Sequence, residues 1–224
     1  MSSYIAMNFP HIFKKAGRKS NPTQKGIVPL YPDTQLDKTL STTFLTSHSR
    51  LREIYDLRLE AWEGAGKSEV VNREFFPNGW VDELDESAFH WVTLNQKLEI
   101  VAAARLNLFP TLAEFPFCDS VQHLRLPVAV PFAFFSRLVV HPSYRNNGLS
   151  RELYLKRAEF CKRRRISWSQ VFINNPQVIR LFQREGYACV GQAEVAYHTS
   201  SKPHTVNVFV SETPQKKASS LRAV

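Results

Sequence analysis

The apolar run Phe132–Val140 hands straight over to a basic loop and a long helical pattern, and this stretch limits the chain more than any other. Its length and composition are those of a buried strand. His141, Pro142 and Ser143 stop it, because proline fixes φ and has no N–H for a ladder. Next come Arg145, Asn146, Asn147, Gly148, Leu149 and Ser150, and from Gly148 the pattern is helical to about Arg165. A strand that passes through such a loop into a helix makes an anion site. The first helical N–H groups have no intrahelical acceptor, the helix dipole adds partial positive charge, and Gly148 lets a phosphate approach the backbone. The stretch therefore predicts a cradle for a diphosphate.

With 224 residues, 43% of them apolar, the chain is long enough for one packed domain with tails. We place the boundaries at a flexible basic arm over 1–45, a folded domain over 46–210 and a flexible tail over 211–224. The net charge of +9 is uneven: residues 1–30 hold five Lys or Arg and no acid, and residues 151–165 hold seven basic and two acidic residues. Such charge suits an anionic cofactor, nucleic acid or an acidic membrane alike. No aromatic or fold-level partner accompanies Lys14, Lys15, Arg18 and Lys19, so a solvated tail is expected there rather than a nucleic-acid site. Cys118, Cys161 and Cys189 are odd in number and show no CxxC spacing, which fits buried free thiols in a reducing, cytoplasmic compartment. No metal site is expected. No stretch approaches the length of a membrane span. The start lacks the apolar core of a signal peptide; its acid-free, Ser- and Lys-containing composition faintly resembles a transit peptide, and a loose arm explains it as well.

Along the chain, a short ordered piece is expected near 27–31. Leu51, Ile54, Tyr55, Arg58 and Trp62 then recur at helical spacing within 47–63, and Gly64 and Gly66 end that helix. Residues 88–94 and 98–108 read as a hairpin turning at Asn95, Gln96 and Lys97. Residues 109–131, with four prolines, form a long irregular or partly helical connection that could wall a pocket. Residues 166–173 form a further strand, and Asn174, Asn175 and Pro176 open a helix that Gly186 ends, with Asn174 taken as a helix cap. Residues 187–197 and 205–210 look like a closing strand pair.

This order resembles the GNAT (Gcn5-related) N-acyltransferase fold, an α+β class with a mixed, splayed central sheet flanked by helices. Two motifs carry the resemblance over about 45–210. The run Arg145 to Ser150 is similar to the family's Q/R-x-x-G-x-G/A loop, with Ser150 in the last small position. Asn174 followed by Leu181-Phe182-Gln183-Arg184-Glu185-Gly186-Tyr187 is similar to its second motif. The resemblance implies an acyl-CoA-dependent N-acyltransferase, with acetyl-CoA as co-substrate and a small-molecule or peptide amine as acceptor. It implies that the pantetheine arm pairs with the backbone at Leu138, Val139 and Val140. Amides from Asn146, Asn147, Gly148, Leu149 and Ser150 would hold the diphosphate, with charge from Arg145 and a contact from Asn174.

Many members carry a tyrosine where this chain has Phe182, which has no proton to give to the leaving thiolate. Tyr154 and Tyr187 are candidate replacements, and both also read as core tyrosines. For the base, Asp82, Asp85, His90 and His204 lie on or beside the expected hairpins, and His204 and Asp85 are the chosen candidates. Asp82-x-x-Asp85, Arg105 and Arg137 also resemble acyl-homoserine-lactone synthases and N-acyl amino acid synthases, which draw acyl chains from acyl carrier protein. Buried ion pairs account for the same four residues. A GNAT-fold protein that binds acyl-CoA without catalysis is the third reading.

Overall fold

The structure, a computed structural model, describes residues 39–65, 73–74, 76–196 and 203–212. The basic residues before Thr39, the expected piece at 27–31, most of the connection at 66–75 and the tail after Glu212 lie outside the described residues.

Seven strands form one sheet in the order β1-β2-β3-β4-β5-β7-β6. They are β1 (Ser41–Phe44), β2 (Phe89–Leu94), β3 (Ile100–Phe109), β4 (Phe132–Val140), β5 (Trp168–Ile173), β6 (Ala188–Val195) and β7 (His204–Glu212). Among the described residues, only β4 and β5 run parallel; every other neighbouring pair is antiparallel. The parallel pair needs a crossover, which α3 (Leu149–Arg163) supplies. The other helices are α1 (Leu51–Glu63), the single turn α2 (Cys118–Val121) and α4 (Pro176–Arg184).

Side chains alternate along β4, so each strand face feeds a different core. Ala133 and Phe135 join Leu149, Leu153, Tyr154 and Phe182 under α3 and α4. Phe132 and Phe134 join Phe109, Phe115, Trp168 and Val208, a largely aromatic layer closed by the 109–131 connection. Ile54, Leu57 and Ala61 of α1 pack on Val92, Ala103 and Val139. Phe115, in the connection expected to wall a pocket, is core, and Trp62 packs edge-on against the buried Trp80 at 5.0 Å.

Two local outcomes differ from the sequence reading, and the hairpin expected at 95–97 is present. Within the expected arm, Ser41–Phe44 is an edge strand, pairing Ser41 with Leu94 and Phe44 with Trp91. The hairpin before β3 turns without glycine because the Asn95 side chain accepts from the amides of Lys97 (3.0 Å) and Glu99 (2.9 Å), while Leu98 takes a positive φ of 62°. The helix cap of α4 is Asn175 rather than Asn174: its side chain accepts from Gln177 and Val178, with Pro176 in the first turn.

Candidate active site

β4 and β5 pair only from Phe132↔Trp168 to Phe135↔Val171. Beyond that point β4 continues to Val140 against β3, and β5 continues to Ile173 against β7. A wedge therefore opens between them, and the β5-facing edge of residues 136–140, which includes Leu138, Val139 and Val140, has no strand against it among the described residues. A bulge sharpens the opening. Ala103 faces Val139 but Arg105 faces Ser136, so β4 carries one extra residue, and Arg137 there has φ of 50°.

At the open end of β4, Gly148 caps α3 with φ of 73° and ψ of 1°, in the left-handed region that suits glycine. Asn146 is left-handed as well, at φ 67°. Among the described residues, the backbone N–H groups of Asn146, Asn147, Gly148, Leu149 and Ser150 donate to no backbone carbonyl, whereas those of Arg151 and Glu152 already reach Gly148 O. Five consecutive amides are thus left without a backbone acceptor where the loop enters α3. Asn147 holds the turn by donating to Tyr144 O at 3.2 Å, and Arg145 donates to Ala61 O at 2.8 Å, tying the loop to the end of α1.

Across the wedge, Asn174 follows β5 directly. Its amide donates to Thr205 O at 2.6 Å and accepts from the backbone and side chain of Asn207, both at 3.1 Å, so it fastens β5 to β7. His204 is the first residue of β7, half-buried and opposite Val195. Asn207 faces Ile173, so His204 lies three residues past the end of β5, at the end of the sheet where the wedge opens and with β5 between β7 and β4.

Asp85 is elsewhere. It is 2% exposed and grips Arg58 of α1 through two 2.7 Å hydrogen bonds, with Arg105 at 3.0 Å. Burial alone would raise its carboxyl pKa, but the hydrogen bonds and charge of Arg58 and the charge of Arg105 outweigh it and hold it well below the usual range. An acid so held cannot take up a proton near neutral pH, so the geometry gives Asp85 a supporting place. Asp82 continues the network by pairing with both Arg105 and Arg137, and it too is held low. Arg137 stacks over Trp80 at 4.1 Å, and Arg105 donates to Ser136 Oγ at 2.9 Å. The chain of charges thus runs from α1 to the bulge in β4.

His90 adjoins this network, with Nε2 3.8 Å from Asp85 Oδ1. Burial first, and then the charge of Arg58, push its pKa down from 6.5 to about 4. The unfolded chain therefore binds this proton more readily, and the stability His90 contributes is complete above pH 6.5 and lost as pH falls towards 4. Acidifying from pH 7.5 to 4.5 should remove roughly 2–3 kcal/mol through this one residue. His90→Gln should flatten that part of a plot of unfolding free energy against pH; an unchanged slope would refute the assignment.

Phe182 is buried, meeting Tyr187 at 4.8 Å and Tyr154 at 5.4 Å. The Tyr187 hydroxyl bonds Ser169 Oγ at 2.5 Å, and Ser169 pairs with Ala133 in the closed part of the wedge. Burial raises Tyr187 strongly and takes Tyr154 to about 12. Both tyrosines are buried in the core. The sequence reading also passed over Arg157, which is fully buried on α3. It donates to Leu153 O and Arg105 O, both at 3.1 Å, and lies 4.6 Å from the Phe135 ring with no carboxylate partner among the described residues. Its spacing from Leu153 and Cys161, four residues each way on the apolar stripe, was the available signal. Among the described residues, no cluster of His, Cys, Asp or Glu could hold a metal, and no helix is long and apolar enough to cross a membrane.

The same architecture occurs in solved structures. The ribosomal-protein-S18-alanine N-acetyltransferase of Escherichia coli is similar with a TM-score of 0.54 and 13% identity, over 80% of this chain and 97% of that one. NAA60 of Arabidopsis thaliana, solved with a bisubstrate analogue, gives 0.52 and 17%, over 77% and 98%. FeeM, an N-acyl amino acid synthase from uncultured soil microbes, gives 0.55 and 12%, over 79% and 92%. At these identities the likeness establishes the fold. No curated protein sequence matches the chain. The acetyltransferase (GNAT) family model matches residues 51–187, which span α1, the wedge, the glycine loop and α4. With more than half its length inside that match, the chain belongs to the GNAT acetyltransferase family.

Proposed function

We propose that the protein transfers an acetyl group from acetyl-CoA to an amine. The observation that carries this reading is the run of five consecutive amides from Asn146 to Ser150 that make no backbone hydrogen bond, beyond a strand edge left without a partner among the described residues. A diphosphate supplies the acceptors those amides lack, and a pantetheine arm with its own amides can pair with residues 136–140 as an added strand. Arg145 adds positive charge but is already tied to Ala61, so its part is mainly to hold the loop. Asn174 keeps β5 and β7 together on the far side and leaves one N–H for the co-substrate.

In the reaction, the neutral amine attacks the thioester carbon, an N–C bond forms and the C–S bond breaks. A β4 amide on the open edge would hold the developing oxyanion, and His204 is our candidate to take the ammonium proton. Phe182 gives no proton, so the thiolate leaves as such or is protonated by water, which a thiol of pKa ~8.5 tolerates. His204→Ala should lower turnover at least ~tenfold, about 1.4 kcal/mol of barrier, with little change in acetyl-CoA affinity. Unchanged turnover would dismiss His204. We place the protein in a reducing, cytoplasmic compartment, a reading supported by its three free cysteines.

The direct test is calorimetric titration with CoA and acetyl-CoA, followed by thiol release across a panel of small amines and peptide N-termini. Absence of CoA binding would overturn the reading, and binding without thiol release would favour a non-catalytic acyl-CoA binder. The formed network of Asp82, Asp85, Arg105 and Arg137 favours one second reading, an N-acyl synthase using acyl carrier protein. The basic residues Arg151, Lys156 and Arg163 of α3 would face such an acidic carrier, but each is paired with a glutamate. Response to acylated carrier protein alone, and not to CoA thioesters, would establish it.

A further inference from the structure

Phe135 is the last β4 residue paired with β5, so it stands where the wedge closes. It is 1% exposed, and its ring lies 6.1 Å from Tyr154 and 6.4 Å from both Phe182 and Tyr187. Against this aromatic layer lies a solvent-open cavity of about 370 Å³, with Phe135, Tyr154, Tyr187 and Cys161 on its inner wall and charged residues such as Glu159, Lys162 and Glu212 in its lining. Ser169, which also lines it, faces Ser211, near the start of β5 and the end of β7, which puts the cavity at the paired end of the sheet. The glycine loop is at the other end of β4. Phe135 therefore both ends the strand pairing at the wedge and lines a second space large enough for several methylene groups.

The direction of an acyl chain follows from the proposed placement of its carrier, on which this inference rests. A diphosphate on residues 146–150 and an arm running back along the open edge of β4 point the acyl end at Phe135. Close-packed interiors do not yield room for added methylenes without displacing side chains. Phe135 has little freedom to move aside, being held by strand pairing below and by three aromatic rings around it.

We propose that Phe135, backed by Phe182, sets the acyl-chain limit: it closes the wedge to all but short chains, and the cavity behind it is the space a longer chain would occupy were the ring removed. The probes are dethia analogues of acetyl-CoA and octanoyl-CoA, in which a methylene replaces the thioester sulfur so that no acceptor is needed, together with free CoA. Wild-type protein should bind the acetyl analogue about tenfold or more tightly than the octanoyl one, and Phe135→Ala should shift the ratio of the two affinities at least about tenfold towards octanoyl. Phe182→Leu should shift the ratio in the same direction by less. Circular dichroism reports whether each variant folds, and Phe135→Leu replaces the alanine variant if that one does not. Equal affinity of wild type for both analogues, or an unchanged ratio in the folded variants, overturns the proposal while leaving the acyl-CoA reading intact. Failure of wild type to bind even free CoA overturns that reading, and this inference with it.

Discussion

Valine in place of Gly148 should leave a folded protein that binds CoA about a hundredfold or more weakly, a loss of about 2.7 kcal/mol. The residue has φ of 73°, a region where a β-branched side chain is strained. The loop would relieve that strain by rotating the peptides on either side of position 148, and those peptides carry the amides expected to hold the diphosphate. Hydrogen bonds to a charged acceptor contribute about 1.5–3 kcal/mol each, so misdirecting two of them suffices for the effect. The rest of the chain feels little, because position 148 is only partly buried and it is Leu149 beside it, the first residue of α3, that enters the core. Gly148→Ala should give a smaller loss, since alanine tolerates the left-handed region at a cost of about 1–2 kcal/mol. Calorimetry with CoA, alongside thermal unfolding of the free protein, separates binding from folding. A valine variant that binds within threefold of the native protein would remove the glycine loop from the site.

The second large effect is on stability. Asp85→Ala should destabilise the fold by about 3–5 kcal/mol, because it leaves Arg58 buried without its partner. Arg58 is fully buried and spends a guanidinium nitrogen on Trp80 O as well as on Asp85, so it cannot swing to water. Replacing both residues by apolar ones of similar size, Arg58→Met with Asp85→Leu, should cost much less than either single change. Asp85→Asn separates a supporting role from a chemical one. If Asp85 were the base, the amide would abolish turnover in a stable protein; if it anchors the network, the amide lowers stability and the folded fraction keeps most of its turnover. A single alanine variant within 1 kcal/mol of native would sink the network assignment.

The Phe132–Val140 strand matches its expected limits to the residue because prolines bound it and every side chain in its first half is apolar. The loop and α3 were equally legible, since Gly148 can serve few other purposes between such a strand and such a helix. β1 was not: Ser-Thr-Thr-Phe lies mostly exposed at the edge, so no alternation marks it as a strand. The α4 cap was readable and misread, because Pro176 in the first helical position makes Asn175 the cap and leaves Asn174 for β7. Asp85 shows the limit of candidate lists. An aspartate beside a strand has the same letters whether it meets water or Arg58, and only the fold brings position 58 to position 85.

The extra residue at Arg137 has an effect on β4 resembling a shift of reading frame. Before it, odd-numbered side chains such as Ala133 and Phe135 go to the α3 side; after it, even-numbered Leu138 and Val140 do, and odd-numbered Val139 turns to α1. One strand thereby serves three cores with a single change of parity. Straightening the bulge while keeping all nine residues would leave the strand nearly as long, yet invert every side chain from there to Val140. Valine and leucine would trade helices, and the downstream loop would leave the sheet from the opposite pleat.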